Sequence, residues 1–499
     1  MAIAFFRYTI CAPDFPALLF FSQGAEKERE RTRNNMEKFF KLKEHGTDVR
    51  TEVAAGITTF MTMAYILVVN SSMFANLGTV SYGAMYIATA LSAVIGTLLM
   101  AFLANLPLGL ASGMGLNAFF VFTVCFTYGF TYANALVFVL LDGIIFIILS
   151  VTGLRKAIFE AIPACVRAAI PAGIGLFIAF IGMQDSGLVI PDPATGVAMA
   201  SMNLMGSATW ASIMPLLVFL FGVMLIAVLS KRNVKGAIIW GILGSTVLYY
   251  VLGFTIPGFY DGFFSSMSMN PINAFGEFFD QAFLAIFREG FDFSAYLAEH
   301  SQASLILNFC TTALAFCLVD MFDTMGTLFG ACARGNMLTE DGQVPHMNEA
   351  MLSDAIATCT GAICGTSTVT TFVESSAGVG EGGRTGLTSV VIAACFAIAM
   401  FLSPVAMLIP GCAAAAALVF VGILMITCVR DIDWTDPGVA VPAFMTMGMM
   451  VYTYSISYGI AFGVLSSLIM QLFTGKAKDI KIGTWVIGGL FLAMFLLTH

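Results

Sequence analysis

Residues 365–386 read GTSTVTTFVESSAGVGEGGRTG, and residues 109–120 read GLASGMGLNAFF. Both stretches lie within apolar sequence, yet each is rich in Gly, Ser or Thr, and the apolar runs that they contain, 108–125 and 370–382, are short for an ordinary membrane-crossing helix. Hydroxyl side chains can satisfy the hydrogen bonds of an interrupted backbone inside a membrane. The two stretches therefore predict a pair of broken elements that reach only part of the way through a bilayer.

The composition is that of an integral membrane protein. Of the 499 residues, 59% are hydrophobic and 10% are charged, and the mean hydropathy is +0.91. Soluble proteins carry about 25% charged residues, so a soluble enzyme, a nucleic-acid-binding protein and a disordered protein are all disfavoured. The 11 cysteines are scattered through apolar runs without metal-ligand spacing, which predicts that they are small buried hydrophobic residues.

Fourteen apolar segments are predicted to cross the membrane. They lie near residues 53–74, 83–105, 108–125, 131–153, 160–182, 210–230, 236–255, 302–329, 349–365, 370–382, 385–403, 408–428, 437–454 and 457–474. The third and tenth segments are the broken elements. The apolar segment 484–497 is short, and three arrangements are open for it: along the bilayer, against the helix bundle, or across the membrane as a fifteenth span.

The basic residues predict the orientation of these segments. All but Arg288 of the 22 Lys and Arg residues lie in the N-terminal tail, in the loops after even-numbered segments, or in the tail after the fourteenth, if Arg167 near the start of the fifth segment is counted with the loop before it. Because Lys and Arg of short loops are retained in the cytoplasm, this distribution predicts fourteen crossings with both termini cytoplasmic. We also expect residues 1–35 to be an upstream extension of a natural start at Met36.

Short sequence matches divide the chain into two halves, 51–256 and 302–475. FMTM at 60–63 returns as FDTM at 322–325, and IPAC at 162–165 returns as IPGC at 409–412. Since each half has an odd number of segments, seven, the second copy must be inverted. Inverted repeats with broken helices place a substrate site near the bilayer midplane. The predicted organisation is a 1–50 tail, two repeats joined by an extracytoplasmic loop at 257–301, and a 476–499 tail.

Ionisable residues inside the predicted spans mark the candidate site. Span eight carries Asp320 and Asp323, and each acid costs about 2.5–3.5 kcal/mol at the centre of a membrane helix. Glu374 lies in the second broken element, and Asn117 follows three glycines in the first. We expect Asn117, Asp323 and Glu374 to contact a substrate. Asp320 and Asp142 in span four are candidates for proton coupling, and hydrogen bonds to neighbouring spans are the alternative for both.

Four further residues are secondary candidates for substrate contact or coupling. Thr324 follows Asp323, Ser375 follows Glu374, Gly115 allows close backbone approach in the first broken element, and Phe372 could stack on a flat ligand. Two carboxylates, a carboxamide and aromatic rings suit a planar heterocycle with ring N–H groups, because a carboxylate accepts from two adjacent donors. No Lys or Arg lies within the spans that carry these candidate residues, which argues against anionic substrates such as sulfate.

Five motifs together resemble one known family. They are TEVAAGITTFMTMAYILVVN (51–70), ASGMGLNAFF (111–120), GIGLFIAFIGMQ (173–184), VDMFDTMGTL (319–328) and GTSTVTTFVESSAGVGEGGRTGL (365–387). From about residue 36 to 481 the chain resembles the AzgA/PbuG-type purine nucleobase permeases of the xanthine/uracil permease superfamily. The resemblance implies an all-α polytopic fold of fourteen spans in two inverted repeats, with short antiparallel strands in spans three and ten.

The resemblance also implies a mechanism. A core domain (51–156 and 302–405) would slide against a gate domain (157–256 and 406–475), a motion called an elevator. The family's substrate residues fall on Asn117, Asp323 and Glu374. The implied activity is proton symport of adenine, guanine or hypoxanthine across a plasma membrane (the inner membrane in a bacterium), and relatives in the superfamily form homodimers through their gate domains.

Several alternatives stay open at this level. Sodium coupling cannot be separated from proton coupling, because carboxylates and hydroxyls serve both ions, although a proton is preferred. A membrane enzyme is disfavoured, since all four histidines lie in loops or at the tail, and a channel is poorly motivated by paired broken elements. We expect no cofactor and no nucleic-acid partner. The expected partners are a purine base, the lipid bilayer and a second copy of the chain.

Overall fold

A computed structural model describes residues 37–152, 161–206, 208–256, 271–339, 343–475, 477 and 480–498. The hypothesis about residues 1–35 falls outside this range and stays a prediction.

The first half of the described chain is helical, with three short strands. Its helices are α1 (Val49–Met63), α2 (Tyr65–Ala75), α3 (Tyr82–Leu99), α4 (Met114–Ala118), α5 (Tyr132–Thr152), α6 (Ala164–Asp185), α7 (Trp210–Lys231) and α8 (Ala237–Gly253). Its strands are β1 (Leu110–Ser112), β2 (Val189–Asp192) and β3 (Gly196–Met199). Two π-helical segments, Met100–Ala104 and Phe119–Thr127, extend α3 and α4.

A connecting segment of short helices leads to the second half. It comprises α9 (Pro271–Glu277), a π-helical turn (Phe278–Ala282), α10 (Ala285–Arg288) and α11 (Ser294–Glu299). The second half comprises α12 (Gln302–Arg334), α13 (Met347–Cys364), β4 (Val369–Thr371), α14 (Ser375–Gly380), α15 (Gly386–Ala399), α16 (Ser403–Ala406), α17 (Gly411–Met425), α18 (Pro437–Tyr452), α19 (Ile456–Phe473) and α20 (Ile482–Thr498). The 3-10 turns Met400–Leu402 and Ile426–Asp431 follow α15 and α17.

Each of the fourteen predicted spans coincides with an element of the structure. Among the described residues, nine helices are long and apolar enough to cross a membrane, and three shorter apolar helices match spans three, seven and thirteen. Span nine matches α13, and span ten matches β4 followed by α14. The chain is therefore a helical polytopic membrane protein, while the number of crossings and the repeat remain predictions.

The helices pack in two groups, for which we use the predicted terms core and gate. Helices α1, α2, α3, α5, α12, α13 and α15 of the core pack mainly on one another, as do α6, α7, α8, α17, α18 and α19 of the gate. The groups meet where α17 packs on α2 and where α4 packs on α6. The broken elements therefore lie at the boundary between the two groups.

A clamp around Glu52 joins α1 to the turn that follows the second broken element. The fully buried Glu52 carboxylate accepts hydrogen bonds from the backbone N–H groups of Arg384 (2.9 Å), Thr385 (3.3 Å) and Thr388 (3.1 Å) and from both threonine hydroxyls. These donors lie at the N-terminus of α15, which an acid stabilises. A Cβ at Gly386 would lie 2.3 Å from the Ala101 carbonyl oxygen. The GEGGRTG motif at 380–386 is therefore explained by packing.

The connecting segment is fixed to the core. The Ser81 hydroxyl, which caps α3, donates to Glu277 at 2.6 Å, and the Asn134 amide donates to the Gly290 carbonyl at 2.8 Å. The C-terminal helix α20 packs on α12 and α19 with Phe491 and Met494 fully buried. It therefore packs against the helix bundle, and a fifteenth crossing stays an alternative.

The hairpin of β2 and β3 lies between α6 and α7 and was not predicted from the sequence. Its strands pair antiparallel, with Val189 opposite Met199 and Asp192 opposite Gly196. Hydrogen bonds from the backbone and side chain of Thr195 and the backbone of Ala194 hold the pKa of the Asp192 carboxyl below its usual value. Asp192 thus stabilises the hairpin turn as an ionised acceptor.

Candidate functional site

The two broken elements meet as a pair of antiparallel strands. Leu110 of β1 lies opposite Thr371 of β4, and Ser112 lies opposite Val369. The ladder continues beyond the strands, because Gly113 N–H donates to the Thr368 carbonyl at 2.9 Å. These bonds satisfy backbone groups that would otherwise be unpaired inside the protein. The short strands that the resemblance implied in spans three and ten are therefore present, and they contact each other.

A cavity of about 70 Å³ lies beside these strands, between the core and the gate. Core residues on its wall include Tyr65, Asp323 and Glu374, and the gate contributes Val421 and Met425. The remaining lining residues are Gly113, Met114, Gly115, Thr327, Thr371, Phe372 and Val373. Asp323 and Glu374 are both half-buried. Among the described residues, no Lys, Arg or His lines this cavity.

Glu374 is held by residues on both sides of the break between α1 and α2. The Tyr65 hydroxyl donates to Glu374 Oε1 at 2.6 Å, and the Thr62 hydroxyl donates to the Glu374 carbonyl oxygen at 3.4 Å. Tyr65 is the first residue of α2, and Thr62 lies in the last turn of α1, so both sides of the break at Ala64 contact the same residue. The carboxylate therefore has a fixed position in the wall of the cavity.

A buried acid in α13 supports the strands from behind. Asp354 is fully buried and accepts hydrogen bonds from Thr371 N–H (2.8 Å), the Thr371 hydroxyl (2.9 Å) and the Thr324 hydroxyl (2.7 Å). Thr324 also exchanges a hydrogen bond with Thr370 of β4 at 2.8 Å. Asp354 thus joins α12, next to Asp323, to the strand that precedes Glu374.

Two further buried acids lie outside the cavity wall. Asp320 accepts from the Thr358 hydroxyl at 3.3 Å, and Asp142 accepts from the Thr368 hydroxyl at 3.5 Å. Among the described residues, the second oxygen of each carboxyl has no hydrogen-bond partner. Both acids are fully buried behind β4, where an unpaired oxygen is costly.

The structure separates the predicted site residues into two groups. Asp323, Glu374, Phe372 and Gly115 line the cavity. The buried Asn117 does not, because its amide oxygen accepts from the Ser112 hydroxyl at 2.8 Å and its NH2 group donates to the Ser112 carbonyl at 3.3 Å.

The remaining predicted residues form the support of the strands. The Ser375 hydroxyl accepts from Gly109 N–H at 2.9 Å, which ties the second broken element to the start of β1. Thr324, Asp320 and Asp142 act in the buried network described above. They surround the cavity without lining it.

The sequence analysis missed two residues of this region. Asp354 carried a usable signal, because it is an acid inside the predicted span 349–365 and the rule applied to Asp320 applies to it equally. Tyr65 carried a weak signal, since one aromatic residue in an apolar helix usually belongs to the packed interior.

Two larger cavities flank the central one. One of about 490 Å³ is lined by residues that include Asn76, Asp185, Glu277 and Leu418; we call it the Glu277 vestibule. The other, of about 510 Å³, is lined by residues that include Lys235, Arg334 and Glu374; we call it the Lys235 vestibule. Glu374 thus lines both the central cavity and the Lys235 vestibule.

The arrangement suits recognition of a small polar ligand. Within the described ranges, no three His, Cys, Asp or Glu side chains are arranged to hold a metal ion. The carboxylates of Asp323 and Glu374 can accept hydrogen bonds, and the Phe372 ring offers an apolar surface to a planar ligand. The cavity is therefore suited to bind a ligand that carries N–H donors.

Comparisons with known proteins agree with the motifs. The Xan_ur_permease model, described as a permease family, matches residues 50–462. The adenine permease AdeP of Escherichia coli is 36% identical over 457 residues, covering 92% of this chain and 95% of AdeP. The guanine/hypoxanthine permease PbuO of Bacillus subtilis is 37% identical over 453 residues, covering 88% of this chain and 96% of PbuO.

A solved structure shares the fold. The transmembrane domain of a cyanobacterial bicarbonate transporter, BicA, superposes with a TM-score of 0.55 and 16% sequence identity, covering 85% of this chain and 96% of that domain. At this identity the likeness concerns the fold alone.

The family match and the relatives confirm the resemblance drawn from the motifs, and the relatives are transporters. The chain therefore belongs to the xanthine/uracil permease family, as an integral membrane permease and not an enzyme.

Proposed function

We propose that this protein imports purine nucleobases (adenine, guanine or hypoxanthine) by proton symport, with an elevator-type alternating-access mechanism. The observation that carries the proposal is the pair of carboxylates, Asp323 and Glu374, in one cavity between the core and the gate. Relatives of similar length are named as adenine and guanine/hypoxanthine permeases. Nucleobases of this kind are planar and carry ring N–H groups, which carboxylates accept.

The lining of the cavity supports a neutral substrate over an anion. Its acids would repel a carboxylate or sulfate, and no cationic side chain among the described residues is available to neutralise one. Phe372 supplies a ring on which a flat base can stack. Asn117 enters the proposal as a substrate residue from the resemblance, and its bonds to Ser112 would have to open for direct contact.

Proton coupling is supported by the acids in and behind the cavity. Asp323 and Glu374 face the place where the substrate would bind. Asp142 and Asp320 are buried behind β4, and each has an unpaired oxygen among the described residues. A carboxyl that gains or loses a proton as the substrate binds would couple proton movement to substrate transport. Asp142 and Asp320 therefore stay candidates for proton coupling.

The elevator is supported by where the cavity lies. Its acids belong to the core, and Val421 and Met425 belong to the gate, so sliding of the core would carry the site past the gate. The Lys235 vestibule reaches Glu374, whereas the Glu277 vestibule stops at Leu418, one helical turn from Val421. Sliding by about one helical turn would reverse which vestibule meets the site.

Three further features belong to this proposal. The protein would lie in the plasma membrane with both termini cytoplasmic, as the distribution of Lys and Arg predicts. Fourteen crossings in two inverted repeats are supported by the pairing of β1 with β4, which lie at corresponding places in the two halves. A homodimer would form through the gate; crosslinking of the protein in its membrane tests this point.

Uptake of labelled hypoxanthine tests the proposal in cells that lack their own purine permeases. Adenine, guanine, xanthine and uracil serve as competitors, and each assay is run with and without a protonophore and in sodium-free buffer. We expect saturable uptake that adenine or guanine blocks, that a protonophore abolishes and that needs no sodium. Loss of uptake in sodium-free buffer would show that sodium, and not a proton, is the coupling ion. Failure of membrane-inserted protein to take up any base would refute the proposal.

A further inference from the structure

We propose that Tyr65 is a specificity-determining residue of this site. Its hydroxyl oxygen and the second oxygen of Glu374 form a pair of hydrogen-bond acceptors that favours bases with two adjacent N–H groups. The inference rests on the proposed purine transport and deepens it, since it names the edge of the substrate that the site recognises.

The hydrogen bond between Tyr65 and Glu374 determines which of their oxygens can bind a ligand. The Tyr65 hydroxyl donates to Glu374 Oε1 at 2.6 Å, so the phenolic proton and Oε1 are committed to each other. Among the described residues, no side chain other than Tyr65 donates a hydrogen bond to the Glu374 carboxylate. Both side chains line the central cavity, although Tyr65 is only 1% exposed. Oε2 is therefore the oxygen of Glu374 that is available to a ligand.

The hydroxyl of Tyr65 can still accept a hydrogen bond. A phenol that donates its proton keeps lone pairs for one N–H group. Because the proton is committed to Glu374, Tyr65 presents the ligand with an acceptor, and Glu374 Oε2 presents a second acceptor close to it. A ligand edge with a donor beside another donor matches this pair, whereas a carbonyl oxygen at either place would meet a lone pair.

Purine bases differ in the hydrogen-bond donors on the edge that would face this pair of acceptors. Guanine carries a ring N–H next to an exocyclic amine, and hypoxanthine has a C–H group where guanine has the amine. Guanine can therefore use both acceptors and hypoxanthine can use one. A site built to accept a hydrogen bond discriminates against the analogue that lacks the donor, because a buried acceptor is then left unpaired.

The position of Tyr65 explains why this arrangement is held. Tyr65 follows directly after the break at Ala64, and Thr62 on the other side of the break donates to the Glu374 carbonyl oxygen at 3.4 Å. Movement of Tyr65 away from the carboxylate would therefore also disturb the contact between the first span and the second broken element.

A buried tyrosine elsewhere in the core supplies a matched control. The Tyr86 hydroxyl donates to the Ala399 carbonyl oxygen at 3.1 Å, and Tyr86 is 4% exposed and absent from the wall of the central cavity. Tyr86→Phe loses a buried hydrogen bond just as Tyr65→Phe does. A purely structural role for Tyr65 would make the two variants behave alike.

The test measures KM and the maximal rate of uptake for guanine and hypoxanthine in both variants. For Tyr65→Phe we expect the KM for guanine to rise about ten-fold, the loss expected for one hydrogen bond. The KM for hypoxanthine should change less than about three-fold, with a similar maximal rate for both bases. Tyr86→Phe should leave both KM values unchanged. An equal rise for the two bases, or no rise for guanine, would overturn the inference.

Two further measurements keep the result interpretable. On the wild-type protein, hypoxanthine and 2-aminopurine should each compete less well than guanine, because each lacks one of the two adjacent donors; equal competition would overturn the inference without any mutation. Glu374→Gln separates the inference from the proposed function. If Glu374→Gln loses uptake while Tyr65→Phe resembles the wild type, only the inference fails. If Glu374→Gln transports normally, the proposed site itself fails.

Discussion

Replacement of Asp354 tests how the strands of the broken elements are held. Its carboxylate accepts two hydrogen bonds from Thr371 and one from Thr324. In Asp354→Asn, the amide oxygen can keep both bonds from Thr371. The new NH2 group can donate to Thr324, whose own proton can turn to Thr370, 2.8 Å away. The asparagine variant thus keeps the geometry and loses only the charge.

The expected magnitudes follow from this difference. Weakening two charge-assisted bonds to neutral ones costs about 1–2 kcal/mol, so Asp354→Asn should raise the KM for a purine base by roughly ten-fold. Asp354→Ala also leaves the buried N–H of Thr371 unpaired, which costs about 1–3 kcal/mol more, and should raise the KM by roughly a hundred-fold or abolish uptake. Thr371 lines the cavity, so its displacement acts directly on the site.

The assay is concentration-dependent uptake of labelled base, normalised to the amount of protein in the membrane. Glu349→Gln is the matched control, because Glu349 lies on the same helix and is exposed. It should transport as the wild type does. Wild-type KM values in both Asp354 variants would refute the reasoning that this acid holds the substrate site.

The remaining predictions concern the clamp, the boundary between core and gate, and an ion pair. Glu52→Ala should lower the melting temperature of the purified protein in detergent, because it leaves the backbone N–H groups of Arg384 and Thr385 unpaired at about 1–3 kcal/mol each; an unchanged melting temperature would contradict this. Gly115→Ala should slow transport without preventing membrane insertion, since its Cβ would lie 2.6 Å from Ile174 of the gate; a wild-type maximal rate would show that this contact does not limit movement. Lys235→Ala should change uptake less than about two-fold, because the pair with Glu381, 2.9 Å apart, is half-exposed and such pairs contribute about 1 kcal/mol or less; a large loss would make this pair essential.

The positions of the helices could be predicted from the sequence because their apolar runs are long and clearly bounded. Runs of about 20 apolar residues separate from polar loops by composition alone, and each predicted span has its element in the structure. The two broken elements were recognised from their Gly, Ser and Thr content. Their pairing came from the resemblance, since three-residue strands such as Leu110–Ser112 carry no alternation long enough to identify them.

The acids of the site were predictable for an energetic reason, while their partners were not. A carboxyl in a membrane span is costly, so Asp323 and Glu374 were singled out by position alone. The sequence could not indicate that the Asn117 amide bonds to Ser112, because that contact depends on how the chain turns between β1 and α4. Tyr65 was missed for a similar reason: a tyrosine in an apolar helix resembles any packed aromatic residue until its hydroxyl is seen beside a carboxylate.

The hairpin of β2 and β3 was missed although its sequence carried a signal. The stretch between α6 and α7 has a turn-rich DPATG between two short apolar pieces, a pattern typical of a β-hairpin. The stretch is shorter and more polar than a membrane span, so a criterion of apolar length does not detect it. Local turn chemistry would have predicted this element.

The most direct test of the account is uptake of labelled hypoxanthine by Asp323→Asn and Glu374→Gln. Each variant removes one carboxylate from the cavity wall while keeping nearly the same shape. We predict that both reach the membrane in normal amounts and lose most of their uptake. Wild-type uptake in both variants would contradict the claim that these two carboxylates bind the transported base.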